Sequence, residues 1–323
     1  MLESWALLGT VAALLGLATA SGQWLRRSDS PLLDRRAIDS FNARLQAWWF
    51  FSFVVAVAFV APGLAVTLFG LISFWALREF VTLTPTRSGD HRALFWVFFL
   101  FTPMQFVLVY LDKFESIQTY GLFSMLIPVY AFLFIAARSA FAGDFDRFLE
   151  RIAKVQCALM ICVYCLSFAP ALLFLDPNPP GGPSDNALLL GFFVTVVLAS
   201  DLLQWFWSKS LGQNVIAPAI DPTKTWEGVA AGAGSTAVVG ALLFWATPYA
   251  HWYHAAMMAL LIAAMAAAGS LTMAAIRRDR GELASGNFVE GHGGVLSRID
   301  SLCFAAPVFY HVTRFILPDL TGN

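Results

Sequence analysis

The chain has 323 residues, 59% hydrophobic and 13% charged, with a mean hydropathy of +0.69. Soluble domains carry about 25% charged residues, so this composition excludes an ordinary water-soluble enzyme and gives no reason to expect a nucleic-acid partner. The formal net charge of −1 says little; the information lies in where the charges fall.

Apolar runs recur near 5–21, 47–61, 63–77, 93–111, 118–137, 155–175, 187–206, 229–247, 254–275 and 301–317. A membrane helix needs roughly 17 to 25 residues, and lipid forces backbone groups to pair internally, which favours helices. The ten-residue alternation of a membrane β-barrel is absent. The first run lacks a basic leader and is followed by Ser21-Gly22-Gln23 and Arg26-Arg27, so it reads as a span with a stop-transfer flank, not a signal peptide. Pro62-Gly63 divides the second and third runs into a hairpin or one kinked span. Arg26, Arg27, Arg35, Arg36 and Arg44 follow the first span, and further basic clusters follow the third, fifth, seventh and ninth. Of 20 Lys and Arg residues, 18 fall on that side, leaving Lys113 and Arg314 on the other. Basic loops face the cytoplasm, so the pattern predicts ten spans with the N-terminus outside, and it favours the hairpin.

Residues 1–175 read as a transmembrane scaffold or lipid-facing groove. Within them, 144–151 form an amphipathic patch expected on the cytoplasmic surface as a connector. The proline-rich stretch 176–183 is a stiff outward loop. Cys157, Cys162, Cys165 and Cys303 all fall inside spans and read as packing residues. Residues 176–323 form the catalytic-type region, because the loops 207–228 and 276–300 hold most of the uncommon polar residues and both face the cytoplasm.

Asp201 ends the seventh span, where an ionisable group costs about 2.5 to 3.5 kcal/mol at mid-membrane and less toward the interface. Such a residue is a functional candidate; a structural ion pair is the alternative. The segment Asp221-Pro222-Thr223-Lys224-Thr225-Trp226-Glu227-Gly228 predicts a turn and a helix cap, with Lys224 near a helix start that favours phosphate. A Lys–Trp membrane anchor fits the same residues. Arg277 and Arg278 precede Gly291-His292-Gly293-Gly294, whose glycines admit close approach of a ligand. Arg298 and Asp300, two residues apart, are expected to share one pocket. Together these residues suit a polyphosphate site that faces the cytoplasm.

The motifs resemble the phosphatidate cytidylyltransferase (CDP-diacylglycerol synthase) family. Pro222-Thr223-Lys224-Thr225-Trp226-Glu227-Gly228 is similar to its S-P-x-K-T-W-E-G, and Gly291 through Asp300 to its G-H-G-G-x-x-D-R-x-D. Trp48-Trp49, Leu71 to Phe74 and Arg78-Glu79-Phe80 resemble a bacterial branch. The resemblance implies an all-α polytopic protein of a bacterial inner membrane. It further implies transfer of CMP from CTP to phosphatidate, with Mg²⁺. Asp201, Lys224, His292 and Asp300 would be catalytic, Asp201 and Asp300 metal-holding, and Arg277, Arg278, Arg298, Gly293 and Gly294 phosphate-binding. CTP, phosphatidate and membrane lipid are the implied partners, and a homodimer stays open.

The chain departs from the pattern at acidic positions. Ser270, Ala284 and Ser297 stand where the family has aspartates, and Leu283 where it has a lysine. Hard cations depend on oxygen ligands, so a non-catalytic relative that binds phosphatidate, CDP-lipid or a partner enzyme is the competing reading. A transporter fits the span count but shows no inverted repeat.

Overall fold

The computed structural model describes residues 35–83, 90–112, 119–175, 183–279 and 294–320, with a few isolated positions between 9 and 23. Most of the expected first span lies outside the described residues, as do His292, Gly293, Leu283 and Ala284. In chain order the helices are α1 (Arg35–Val60), α2 (Pro62–Thr82), α3 (His91–Leu111), α4 (Tyr120–Ala140), α5 (Phe148–Phe174) and α6 (Pro183–Leu211). A short hairpin of β1 (Val215–Ala217) and β2 (Asp221–Thr225) follows, then α7 (Trp226–Leu242), α8 (Trp252–Asp279) and α9 (Leu296–Leu320).

The architecture is that of an all-α polytopic membrane protein, with one small β-hairpin among the described residues. Among the described residues, α2 to α5, α8 and the Asn186–Leu211 stretch of α6 are long and apolar enough to cross a bilayer, six in all. The expected second span, 47–61, coincides with the apolar part of α1, Trp48–Val60, which is too short to count among the six. The eighth ends early: α7 has 17 residues and gives way to a 3₁₀ turn at Phe244–Ala246. Helix α1 stops at Ala61 (φ −146°, ψ 87°), and Pro62 opens α2, where its missing N–H costs nothing.

Prolines shape the N-terminal helices. Pro103 cannot donate to the preceding turn, and α3 widens to a π-helical turn over Val97–Phe101. Thr102 Oγ1 takes up the Val97 carbonyl at 2.8 Å. Pro128 lies within a second such turn, Leu126–Ala131 of α4. Large rings fill this half: Phe123 and Phe168 are fully buried with Tyr310 of α9, ring centroids 5.2 to 6.4 Å apart.

The C-terminal helices close by the opposite means. A Cβ at Gly228 or Gly232 of α7 would collide with Ser208 or Gln204 of α6, and one at Gly269 of α8 with the Asp300 carbonyl of α9. Small residues that let helix backbones approach are the usual device in lipid. This closeness brings α6, α8 and α9 together around a polar centre.

The amphipathic patch 144–151 corrects one expectation. Phe145 and Leu149 are exposed as expected, at 89% and 79%. Arg151, however, is buried at 7% and points inward. Its Nε and Nη2 donate to Asp90 at 2.7 to 3.2 Å, and Nη1 donates to the carbonyls of Asp144 and Asp146 at 3.3 and 3.0 Å. A basic residue counted as a topological marker is therefore an internal tie between the start of α5 and the residue preceding α3.

Candidate active site

The residues ahead of α7 fold as they do for local reasons. Asp221 Oδ1 accepts the backbone N–H of Thr223 at 2.9 Å and its hydroxyl at 2.6 Å, a turn that Asp and Pro favour. β2 pairs antiparallel with β1, Val215 opposite Thr225 and Ala217 opposite Asp221. Thr225 is extended and caps α7, its Oγ1 accepting the Gly228 N–H at 3.1 Å. One residue earlier, Lys224 leaves the strand toward α8.

Glu227 pins the hairpin from the other side. Its carboxylate accepts the side chain of Asn214 at 2.5 Å and the backbone N–H groups of Asn214 and Gln213 at 3.1 and 3.2 Å. With its own backbone N–H as the largest cause, then the Asn214 side chain, these donors hold its pKa down at about 2.

Lys224 ends in a cavity of about 220 Å³ between α6, the hairpin, α8 and α9. Asp201 of α6, Ser270 and Arg277 of α8, and Asp300 and Ser301 of α9 line it too. The Lys224 ammonium donates to Ser270 Oγ, whose own proton goes to the Ala266 or Ala267 carbonyl at 3.0 or 3.1 Å. Ser301 joins the acids: its hydroxyl donates to Asp201 Oδ1 at 2.8 Å, and its backbone N–H to Asp300 Oδ1 at 2.8 Å.

Arg277 is placed differently. Its Nη2 is 3.9 Å from Asp300 Oδ2, too long for a hydrogen bond, and its Nη1 is buried with no partner among the described residues. A buried guanidinium N–H without an acceptor is costly. The cavity thus presents a carboxylate pair, an ammonium and an unsatisfied guanidinium within one small polar space. That set offers positive charge at the Lys224–Arg277 side and negative charge at the Asp201–Asp300 side.

Of the residues singled out in the sequence, Asp201, Lys224, Arg277 and Asp300 meet in this cavity. Arg278 does not line it; its Nε donates to the Ile220 carbonyl in the hairpin turn at 3.1 Å. Neighbours on a helix stand about 100° apart, so only one arginine of the doublet can face inward. Arg298 also lies off the cavity, correcting the expectation that it shares a pocket with Asp300; residues two apart on a helix are about 200° apart. Gly294 packs on α2, where a Cβ would strike the Glu79 carboxylate. His292 and Gly293 are outside the described residues.

Three features escaped the sequence reading. Ser301 follows Asp300 directly but carries no motif of its own. Asp221 and Thr223 line the cavity and were read only as turn formers. Glu79 accepts the Leu296 N–H at 3.1 Å, capping α9 from 217 residues away; its only sequence signal was the Arg78-Glu79-Phe80 resemblance. Of the two absent acids that fall on described residues, Ser270 holds Lys224, and Ser297 lines the cavity with its hydroxyl on the Gly294 carbonyl at 2.8 Å.

The model of the cytidylyltransferase family matches residues 42–316. A protein of Escherichia coli (strain K12) named Uncharacterized protein YnbB is 34% identical over 316 residues, 95% of this chain and 97% of that protein. The phosphatidate cytidylyltransferase of Synechocystis sp. is 35% identical over 138 residues, 41% of this chain and 47% of that one. The enzyme of the same name from Haemophilus influenzae is 32% identical over 146 residues, 42% and 49%. The chain thus spans about half the length of these two enzymes.

Proposed function

Since this chain belongs to the cytidylyltransferase family, we propose that it transfers CMP from CTP to phosphatidate, giving CDP-diacylglycerol and pyrophosphate. One observation carries the reading: Arg277 Nη1 is buried with no partner among the described residues, beside Lys224 and the Asp201–Asp300 pair. A polyphosphate supplies the missing acceptor. The names of the partial relatives support the same substrates.

In this reading a phosphate oxygen of phosphatidate attacks the α-phosphorus of CTP. The bond from that phosphorus to the bridging oxygen breaks, and pyrophosphate leaves with the electron pair. A phosphate monoester is largely ionised at neutral pH, its second pKa being about 6, so no side chain has to remove a proton. Phosphoryl and nucleotidyl transfer depend mainly on positioning and charge neutralisation. Lys224 and Arg277 bind phosphate oxygens, and Ser301 fixes the two carboxylates. Arg278 positions the hairpin that carries Lys224. His292, Gly293, Gly294 and Arg298 enter as phosphate contacts through the resemblance alone.

Mg²⁺ typically uses one or two carboxylates plus substrate phosphates, and Asp201 with Asp300 meets that need for one ion. Among the described residues no group of three or more His, Cys, Asp or Glu gathers as a larger metal cage. When bound, the ion supplies neutralising charge to the polyphosphate. The same proposal carries ten spans, an outside N-terminus, and a bacterial inner membrane with the cavity toward the cytoplasm; the 18-to-2 segregation of basic residues supports it.

A second reading rests on Ser270. Lys224 is held by a hydroxyl at a position where the family resemblance expects an acid, and such a site binds phosphate without turning over. Purified protein given phosphatidate, labelled CTP and Mg²⁺ separates the two. Labelled CDP-lipid is the expected product. CTP or phosphatidate binding with no product across Mg²⁺, Mn²⁺ and Co²⁺ establishes the binding protein instead.

A further inference from the structure

We propose that a second anion site, for a phosphate group, lies at the other end of α9, built from Arg314, His311 and Tyr120. Arg314 stands 14 residues beyond Asp300, about 21 Å along the helix at 1.5 Å per residue. The two sites are therefore separate. A cavity of about 580 Å³ is lined there by Tyr120, His311, Val312, Arg314 and Phe315.

Arg314 makes no ion pair with a carboxylate among the described residues. Asp112, at the nearby end of α3, is hydrogen-bonded to Thr119 at 3.0 Å instead. What holds Arg314 is neutral: its guanidinium carbon lies 3.7 Å from the Tyr120 ring centroid, and Nη1 donates to the Tyr310 hydroxyl at 2.9 Å. A guanidinium has five N–H donors in a planar fork that matches phosphate. Stacking on Tyr120 fixes the plane of that fork, and among the described residues only its Nη1 donates a hydrogen bond.

A second donor stands beside it. His311 Nδ1 and the Tyr120 hydroxyl are 3.2 Å apart. With the tyrosine donating, the neutral imidazole carries its proton on Nε2. Tyr120 thus orients both the arginine and the histidine. Phe315, next to the arginine, is 84% exposed, an apolar surface alongside a polar cradle.

The segregation of charge sharpens the point. By their order in the sequence, 18 of 20 basic residues belong to loops expected on the side of the first cavity, and Arg314 is one of two that do not. A cation against that bias, stacked and hydrogen-bonded and without a carboxylate partner among the described residues, fits a phosphate group brought by a lipid headgroup or by free phosphate.

The test is lipid binding by native mass spectrometry of the whole protein in detergent. Dioleoyl phosphatidylglycerol is titrated against dioleoylglycerol, which lacks the phosphate. Wild type is expected to retain the phospholipid preferentially, and Arg314→Gln to need about tenfold more for half occupancy, the scale of one hydrogen bond to a charged group. Tyr120→Phe keeps the ring and removes the hydroxyl, so it weakens binding less, and it guards against misfolding of the arginine variant. Inorganic phosphate is the second arm. Displacement of the phospholipid by millimolar phosphate, dependent on Arg314, assigns the site to phosphate in general; no displacement assigns it to the headgroup. Equal retention by wild type and both variants overturns the proposal. Because binding is read, not transfer, this outcome is independent of the reading of the Asp300 cavity.

Discussion

Each half of the chain holds an arginine beside an aspartate, and the two pairs are finished to different degrees. Arg151 of α5 is saturated: Asp90 takes two of its nitrogens and two carbonyls take the third. Arg277 of α8 is not, with Asp300 at 3.9 Å and Nη1 without a partner among the described residues. A closed pair has nothing left to offer a ligand, while an open one gains most when an anion arrives. The surroundings match. The N-terminal half packs with aromatic rings, and the C-terminal half draws helices together over glycine around a polar cavity.

The largest effect expected is on stability at the closed pair. Arg151→Ala takes the guanidinium away from Asp90, which is buried at 5% exposure, and losing one member of such a pair costs about 3 to 5 kcal/mol. Thermal unfolding in detergent reads this as a lower midpoint, with transfer activity per folded molecule unchanged. At the open pair the pattern inverts. Arg277→Gln is expected to lower kcat/KM for CTP about 10²- to 10³-fold, the range for one preorganised donor lost from a transition state. Its unfolding midpoint should stay near wild type, because the replaced guanidinium was incompletely bonded. If both variants lost stability alone, the two pairs would be equivalent and the contrast false.

Smaller effects probe the hairpin that delivers Lys224. Thr225→Ala removes the α7 cap, worth about 1 kcal/mol, and should raise KM for CTP more than it lowers the unfolding midpoint. Glu227 predicts a pH dependence. Its pKa is lowered from 4.5 to about 2, so its contribution is fully present above pH 4.5 and is lost as pH falls toward 2. Hydrogen exchange at Gln213 and Asn214, corrected for intrinsic rates, should be flat from pH 8 to 5 and faster below 4. Glu227→Gln should abolish that step.

The legible parts of the site were those with local cause. Asp201, Lys224 and Asp300 stand in short motifs whose chemistry is visible from residue type, and the Thr225 cap follows from its neighbours. The arginine doublet was ambiguous because sequence does not set the phase of α8; the structure turns Arg277 inward and gives Arg278 to Ile220. Arg151 was misjudged for a related reason. A basic residue between spans serves equally as a topological charge or as a buried tie, and its partner Asp90 is 61 residues away. Glu79 and Leu296, 217 residues apart, lie further beyond reach of any local pattern. Helix lengths erred where apolar composition outran the helix, as in α7.

The decisive measurement is pyrophosphate release by purified protein supplied with CTP, phosphatidate and Mg²⁺, run side by side for wild type, Arg277→Gln and Arg151→Ala. Phosphatidate-dependent release by wild type, nearly abolished in Arg277→Gln and retained by the folded fraction of Arg151→Ala, is the predicted result. Equal release by wild type and Arg277→Gln would contradict the assignment of the open arginine to the transferred nucleotide.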